Sequence, residues 1–260
     1  MEVERCRAGG QGVAGKRKPQ PIEIFELTMD DADHLVALVE GFTNQRARRM
    51  RTELRSKFGS AMSVRERDRA ALDCLESDDL FVIFKPRSRL CRGDFVDARP
   101  LLRQALVAAC AAFETYLADK AMSRVSRLMA AESTLTPRLR ELPLTMADWM
   151  AIDRYEKKRW GLKRYVVEPA IREMASTSPN KVGELLSMLG IEKWSRRVDA
   201  QRGVARGRTV RRLEEITKRR NRIAHQADIV GRGRAQLTVG EVHDDINELR
   251  SVVEAIEAIL

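Results

Sequence analysis

In the stretch KRRNRIAHQAD, residues 218–228, an arginine, an asparagine and a histidine stand where they could handle a phosphate. On a helix, at about 100° per residue, Asn221 and His225 fall about 40° apart and face the same way, one turn from each other. Arg220 lies about 140° from His225, yet its side chain is long enough to reach round to a shared cleft, above all one completed by a second copy of the helix. Arginine offers a planar, permanently charged fork, and histidine can give or take a proton near neutral pH. RNA cleavage by a neighbouring 2′-hydroxyl needs these parts: a proton acceptor or donor, and a cation for the pentacoordinate phosphorane. The competing reading is a solvated basic helix that contains a histidine.

Composition decides how much the pattern means. With 37 Arg and 3 His in 260 positions, an Arg and a His five apart is expected by chance ~0.4 times, which carries almost no weight. Requiring one of the 4 Asn directly after the Arg lowers that to ~0.006, so the asparagine makes the match informative. Arg219 precedes the motif and Arg222 lies within it, and Lys157, Lys158 and Arg159 form a second basic run; these five are candidates for nucleic-acid contacts.

Charge is concentrated around these residues. Residues 151–234 hold 22 Lys and Arg against 10 Asp and Glu, a surplus of 12 that exceeds the net +10 of the whole chain. A concentrated basic segment attracts polyanions, RNA among them; the alternative is a solvated, solubilising surface. Trp149, Tyr155, Trp160 and Tyr165 interleave with the cations here. Aromatics so placed can stack bases, but their spacing fits one helix face, and the favoured expectation is core anchors with the arginines outside.

Other chemistries find little support. Cys6, Cys74, Cys91 and Cys110 form no C-x-x-C pair, and none of His34, His225 and His243 stands at a metal-like spacing from them, so neither a metal nor a cofactor is expected. Cys110 sits in an apolar helix and reads as core. The longest apolar run, ALVAACAAF from Ala105, is far short of the roughly 20 residues that cross a bilayer, and no apolar signal core opens the chain, so a cytoplasmic protein without a membrane partner is expected.

The elements that must position the motif read as helices. Residues 1–21, rich in Gly, Lys and Arg, read as a disordered basic tail. IEIFEL could be a short strand or an extended lead-in. Thr28 or Asp30 can then cap a helix with apolar positions Leu35, Leu38, Val39, Phe42, Met50, Leu54 and Phe58. Ser63 and Glu66 have capping-box spacing for a second helix to about Glu76, giving a helical hairpin module over 22–89 that closes with DDLFVIFKPRSRL, a connector or edge strand. A long helix begins near Pro100, with Leu102, Ala105, Leu106, Ala109, Phe113, Tyr116 and Leu117 on one face. Glu114 is the single acid in its most apolar part, and periodicity alone leaves it equally a solvent-facing residue. Pro137 and Pro143 break the pattern before one or two basic amphipathic helices. A short helix then ends at Gly190, and RRVDAQRGVARGRT reads as a basic loop. Thr209 can cap the motif helix, which Gly231 and Gly233 stop, and Thr238 can cap the last helix.

With those elements in place, the chain resembles the HEPN superfamily. R-N-x-x-x-H on a penultimate helix, here Arg220, Asn221 and His225, is similar to its signature. ARPLLRQALVAACAAFETYLADKAM, SPNKVGELLSMLGIEKW and RRLEEITKRRNRIAHQADI resemble successive helices of the RiboL-PSP-HEPN branch, over roughly residues 90–260. The resemblance implies an all-α bundle that typically dimerises and joins two motifs into a metal-independent endoribonuclease site, although many members only bind RNA or partners. It implies roles for Arg220, Asn221 and His225 at the reacting phosphate and matches Glu114 to an acidic or polar residue that members often carry near the motif. It also raises a toxin or antiphage role, with an antitoxin or defence partner. The chain departs from many members in HQAD, where they have His-Gly, which bears on the helix end and removes no catalytic group. The expected architecture is therefore an all-α protein: a tail over 1–21, a helical module over 22–89 and a HEPN-like bundle over 90–260.

Overall fold

Pro21 opens the first helix, α1 (Pro21–Ala47), where its missing N–H is one of the groups a first turn leaves unpaired anyway. The computed structural model describes residues 17, 19–47, 99–231 and 233–260. IEIFEL is thus helical rather than extended, because Phe25, Met29, Ala32 and Val36 carry a helical apolar stripe that is fully buried. Val39 continues that stripe, Leu35 is partly buried, and Leu38 faces solvent against expectation. Thr28, a proposed cap, is inside the helix and returns its hydroxyl to the Ile24 carbonyl at 3.0 Å. Most of the tail, the expected helix from Ser63, DDLFVIFKPRSRL, and the side chains of Phe42, Met50, Leu54 and Phe58 lie outside the described residues.

The alanine- and leucine-rich stretch forms α2 (Arg99–Leu128), the central helix. All seven residues of its expected inner face are buried, as is Cys110. By length and composition α2 alone among the described helices could cross a membrane, but most of that stretch is buried inside the fold. Thr136 caps α3 (Pro137–Arg140), and a Thr145–Asp148 capping box opens α4 (Met146–Asp153). Next, α5 (Lys158–Leu162) passes through a π turn (Lys163–Val167) into α6 (Glu168–Met174).

Then α7 (Pro179–Met188) ends before Gly190, at φ 84°, a left-handed position glycine tolerates. The first half of the expected loop that follows is instead helical, in α8 (Trp194–Arg202), and only residues 203–207 remain a loop. Tertiary anchoring overrides its polar sequence: Trp194 and Val198 are buried, and the indole lies so close to α7 that a Cβ on Gly183 would fall 2.8 Å from Nε1. The motif helix is α9 (Arg208–Gln226), joined by a two-stranded hairpin, β1 (Ile229–Val230) and β2 (Gly233–Arg234), to α10 (Val239–Ile259). The expected Thr238 cap is present as a capping box with Glu241.

The described residues are all-α apart from that hairpin. One apolar core joins α1, α2 and α6 to α10, so the N-terminal helix shares its interior with the bundle that carries the motif. The Phe25 and Tyr116 rings sit 5.6 Å apart, and Tyr116 donates its hydroxyl to Glu257 at 3.0 Å. Arg250 of α10 reaches Glu26, Asp30 and Asp33 of α1 at 3.3, 3.4 and 2.7 Å.

Candidate active site

The motif helix is held at its first turn by a residue from outside it. Asp199 of α8 accepts the Gly207 N–H at 2.6 Å and the Thr209 N–H at 3.1 Å, satisfying donors that a helix start leaves unpaired. Thr209 is therefore not the cap: it is buried, and its hydroxyl accepts from Arg202 at 2.7 Å. Burial opposes the Asp199 charge, yet hydrogen bonds from Thr209 and Gly207, with Arg202 nearby, hold its carboxyl below the ordinary aspartate value. Leu213 and Ile216 then fix the helix against the core.

One turn further, α2 and α9 meet through charge. Nη2 of Arg220 lies 3.2 and 3.1 Å from the two carboxylate oxygens of Glu114, and Nη1 donates to the Asn221 side-chain oxygen at 3.1 Å. Glu114 also accepts the Thr177 N–H at 3.4 Å, and the Thr177 and Thr217 hydroxyls bond at 3.0 Å. The structure thus brings Glu114, Arg220 and Asn221 together. His225 is exposed in the last turn of α9, and among the described residues no side-chain hydrogen bond engages it.

The helix end differs from expectation. Instead of running to Gly231, α9 stops at Gln226, and Ala227 (φ 49°) and Asp228 (φ 58°) both adopt the left-handed conformation. The Ala227 and Asp228 N–H groups both turn back to the Arg222 carbonyl, the second at 3.0 Å, and close the helix end. Asp228 is fully buried among three arginines: Arg103 of α2 at 3.0 Å, Arg219 at 3.2 Å and Arg222 at 3.6 Å. Arg103 and Arg219 also donate to the Ala235 and Gln236 carbonyls at 2.7 and 2.6 Å. Arg219 and Arg222 were expected to meet nucleic acid. The guanidinium of Arg219 is committed inside the fold, whereas Arg222 keeps part of its surface on the solvent side.

The family model for RiboL-PSP-HEPN matches residues 91–260. The chain belongs to the RiboL-PSP-HEPN family. HEPN domains act on RNA, are often ribonucleases and often dimerise. No curated protein and no solved structure matches the chain.

Beside the HEPN motif runs an open groove of about 850 Å³ between α9 and α10. Lys218, Asn221, Arg222 and His225 form one wall, and Glu241, Asp244 and Asp245 the other. Desolvation pushes the Asp245 carboxyl up to about 6, although Arg212, at 2.8 Å, opposes the shift. Periodicity did not single out Asp245, because only the packing of α10 on α9 removes it from water. Asp228 was equally invisible; its one trace was the departure from His-Gly after His225.

Lys157, Lys158 and Arg159 lie on the surface of the HEPN domain at the start of α5. The aromatics around them reverse the expectation of core anchors. Trp149, Trp160 and Tyr165 are exposed, because α4 and α5 bury only the edges they turn to each other, through Ile152 and Gly161.

Proposed function

We propose that this HEPN protein is a metal-independent endoribonuclease of the cytoplasm, acting as a growth-arresting toxin or antiphage effector controlled by an antitoxin or defence partner. The observation that supports the reading is the Glu114–Arg220–Asn221 chain lying one turn from a solvent-exposed His225. In the reaction, the substrate 2′-oxygen attacks the adjacent phosphorus as its proton passes to His225. A P–O5′ bond then breaks, and the 5′-oxygen takes up a proton. Arg220 stabilises the dianionic phosphorane, and Asn221 orients Arg220 or the phosphate. One motif holds a single histidine, so a separate proton donor for the 5′-oxygen comes from a second His225, and two copies facing each other across a two-fold axis form the complete site.

The test is a substrate with one 2′-deoxy substitution at the cut. It should bind and resist cleavage, whereas the ribose substrate yields a 2′,3′-cyclic phosphate and a 5′-hydroxyl, in EDTA as well as without it. Light scattering should report twice 29.6 kDa. A second reading, a noncatalytic RNA-binding or adaptor module, is favoured by one observation: Arg220 already spends its charge on Glu114. No cutting of the ribose substrate would decide for it, and normal cutting of the deoxy substrate would overturn attack by the 2′-hydroxyl.

A further inference from the structure

The hairpin of α4 and α5 stands apart from the main core. Between Leu142 and Val167 no described side chain joins that core; Ile152 is buried instead against Gly161, where a Cβ would meet the Ile152 Cα at 3.0 Å. Glycine there lets the two helices touch, and most of their remaining residues are exposed. On α4, Met146, Trp149 and Met150 are 74%, 48% and 62% exposed. They recur at helical spacing and form one apolar stripe that nothing among the described residues covers.

That stripe runs into the densest cationic run of the hairpin. Asp153, next on the same face, holds the Lys158 ammonium at 2.5 Å. Lys158 opens α5, and Arg159 and then Trp160, 67% exposed, follow it. From Arg154 to Arg164 six cations stand against one acid, Glu156. Lys158 is paired with Asp153, Lys163 donates to Ser126 at 2.6 Å, and Arg164 donates to the Tyr155 hydroxyl at 3.4 Å. Arg154, Lys157 and Arg159 remain exposed and have no ion pair among the described residues. The Tyr165 ring is fixed edge-on against Tyr155, with centroids 6.0 Å apart. The π turn that follows α5 carries Tyr165, and such turns recur at functional sites.

An apolar protein partner would explain the methionines but not an excess of five positive charges placed among them. Exposed flat rings beside unpaired cations match a ligand with π faces and a polyanionic backbone. We propose that the α4–α5 hairpin is a docking platform for single-stranded RNA, with Trp149 and Trp160 stacking unpaired bases and Arg154, Lys157 and Arg159 meeting the phosphates. The proposal rests on the RNA-directed reading of the domain and adds a surface outside the Arg220–His225 site. A duplex hides its base faces, so the platform selects unpaired strands.

The probe is a single-stranded oligoadenylate of about 12 nucleotides, the span of one such platform, carrying 2′-O-methyl groups so that it has no nucleophile and cannot be cut. Two of the three tryptophans are on the hairpin, and the third, Trp194, is buried. Binding should therefore quench intrinsic fluorescence. Trp160→Ala should weaken affinity about tenfold, and Trp160→Phe should retain most of it, because a ring still stacks. Lys157→Gln and Arg159→Gln should each lower the slope of log affinity against log salt by about 0.7. Unchanged affinity in Trp160→Ala, or equal competition by duplex RNA, overturns the platform. A change in light-scattering mass with affinity unchanged would assign the surface to self-association and overturns it as well. If the probe binds through Trp160 while ribose RNA is never cut, the platform stands and the nuclease reading falls; cutting without any effect of Trp160 gives the converse.

Discussion

Glu114 and Arg220 join α2 to α9 through one guanidinium nitrogen set 3.2 and 3.1 Å from both carboxylate oxygens. The pair is partly exposed, and such pairs contribute at most about 1 kcal/mol to stability. Its work is then to aim the guanidinium. Glu114→Gln should leave the melting temperature almost unchanged and lower kcat about tenfold with KM little altered, as expected for loss of a transition-state contact. A clear fall in melting temperature with activity intact would make the pair a brace between helices instead.

His225 and Arg220 separate catalysis from binding. His225→Ala should lose about 10²-fold or more in cleavage while RNA affinity holds, because general acid–base catalysis contributes typically 10²–10⁴-fold. Arg220→Lys should also cleave poorly, since a point charge does not replace a planar fork on a phosphorane. Wild-type rates in His225→Ala, measured in single turnover, would end the nuclease assignment.

The end of α9 carries strain that glycine can relieve. Ala227 sits at φ 49°, where a non-glycine residue costs on the order of 1 kcal/mol. Ala227→Gly should raise the melting temperature by roughly 2–4 °C. Asp228→Ala should act in the opposite sense and more strongly, losing about 3 kcal/mol, because it leaves the buried Arg103 guanidinium without its carboxylate. Chemical denaturation of the two variants, side by side, checks both signs.

Asp245 predicts a pH dependence. Its folded value of about 6 lies above the ordinary aspartate value of 3.8, so the folded state holds its proton more tightly than the unfolded one. The stability from this group is complete below pH 3.8 and is lost as pH rises to about 6. Asp245→Asn should therefore gain stability relative to the wild type between pH 4 and pH 7, on the order of 1–2 kcal/mol after allowance for partial exposure. An unchanged difference across that window would place the carboxyl in water, away from the desolvated wall of the groove.

Much of this was legible in the sequence because the relevant signals are local. The α2 face, the Thr238 cap and the shared face of Asn221 and His225 follow from period 3.6 and side-chain chemistry. The meeting of Glu114 with Arg220 depends on how α2 packs on α9, and only the family resemblance pointed to it. What misled was tertiary. Trp194 turned the first half of a glycine-broken basic run into α8, and Asp199, nine residues before the start of α9 by way of a loop, displaced Thr209 as the cap. Trp149 and Trp160 had helical spacing, but periodicity cannot say whether a second layer covers a face, and among the described residues none does. The left-handed pair at Ala227 and Asp228 had no glycine to announce it.

The hairpin that contributes nothing to the main core also has a consequence for how such a protein can diversify. Glu114–Arg220 and Arg103–Asp228 latch α2 to α9 at two points, and both latches are independent of residues 143–166. That excursion can be lengthened, shortened or rewritten while the latched pair keeps its geometry. Grafting the hairpin of another family member between Leu142 and Val167 would then exchange the choice of target and leave the cutting chemistry in place.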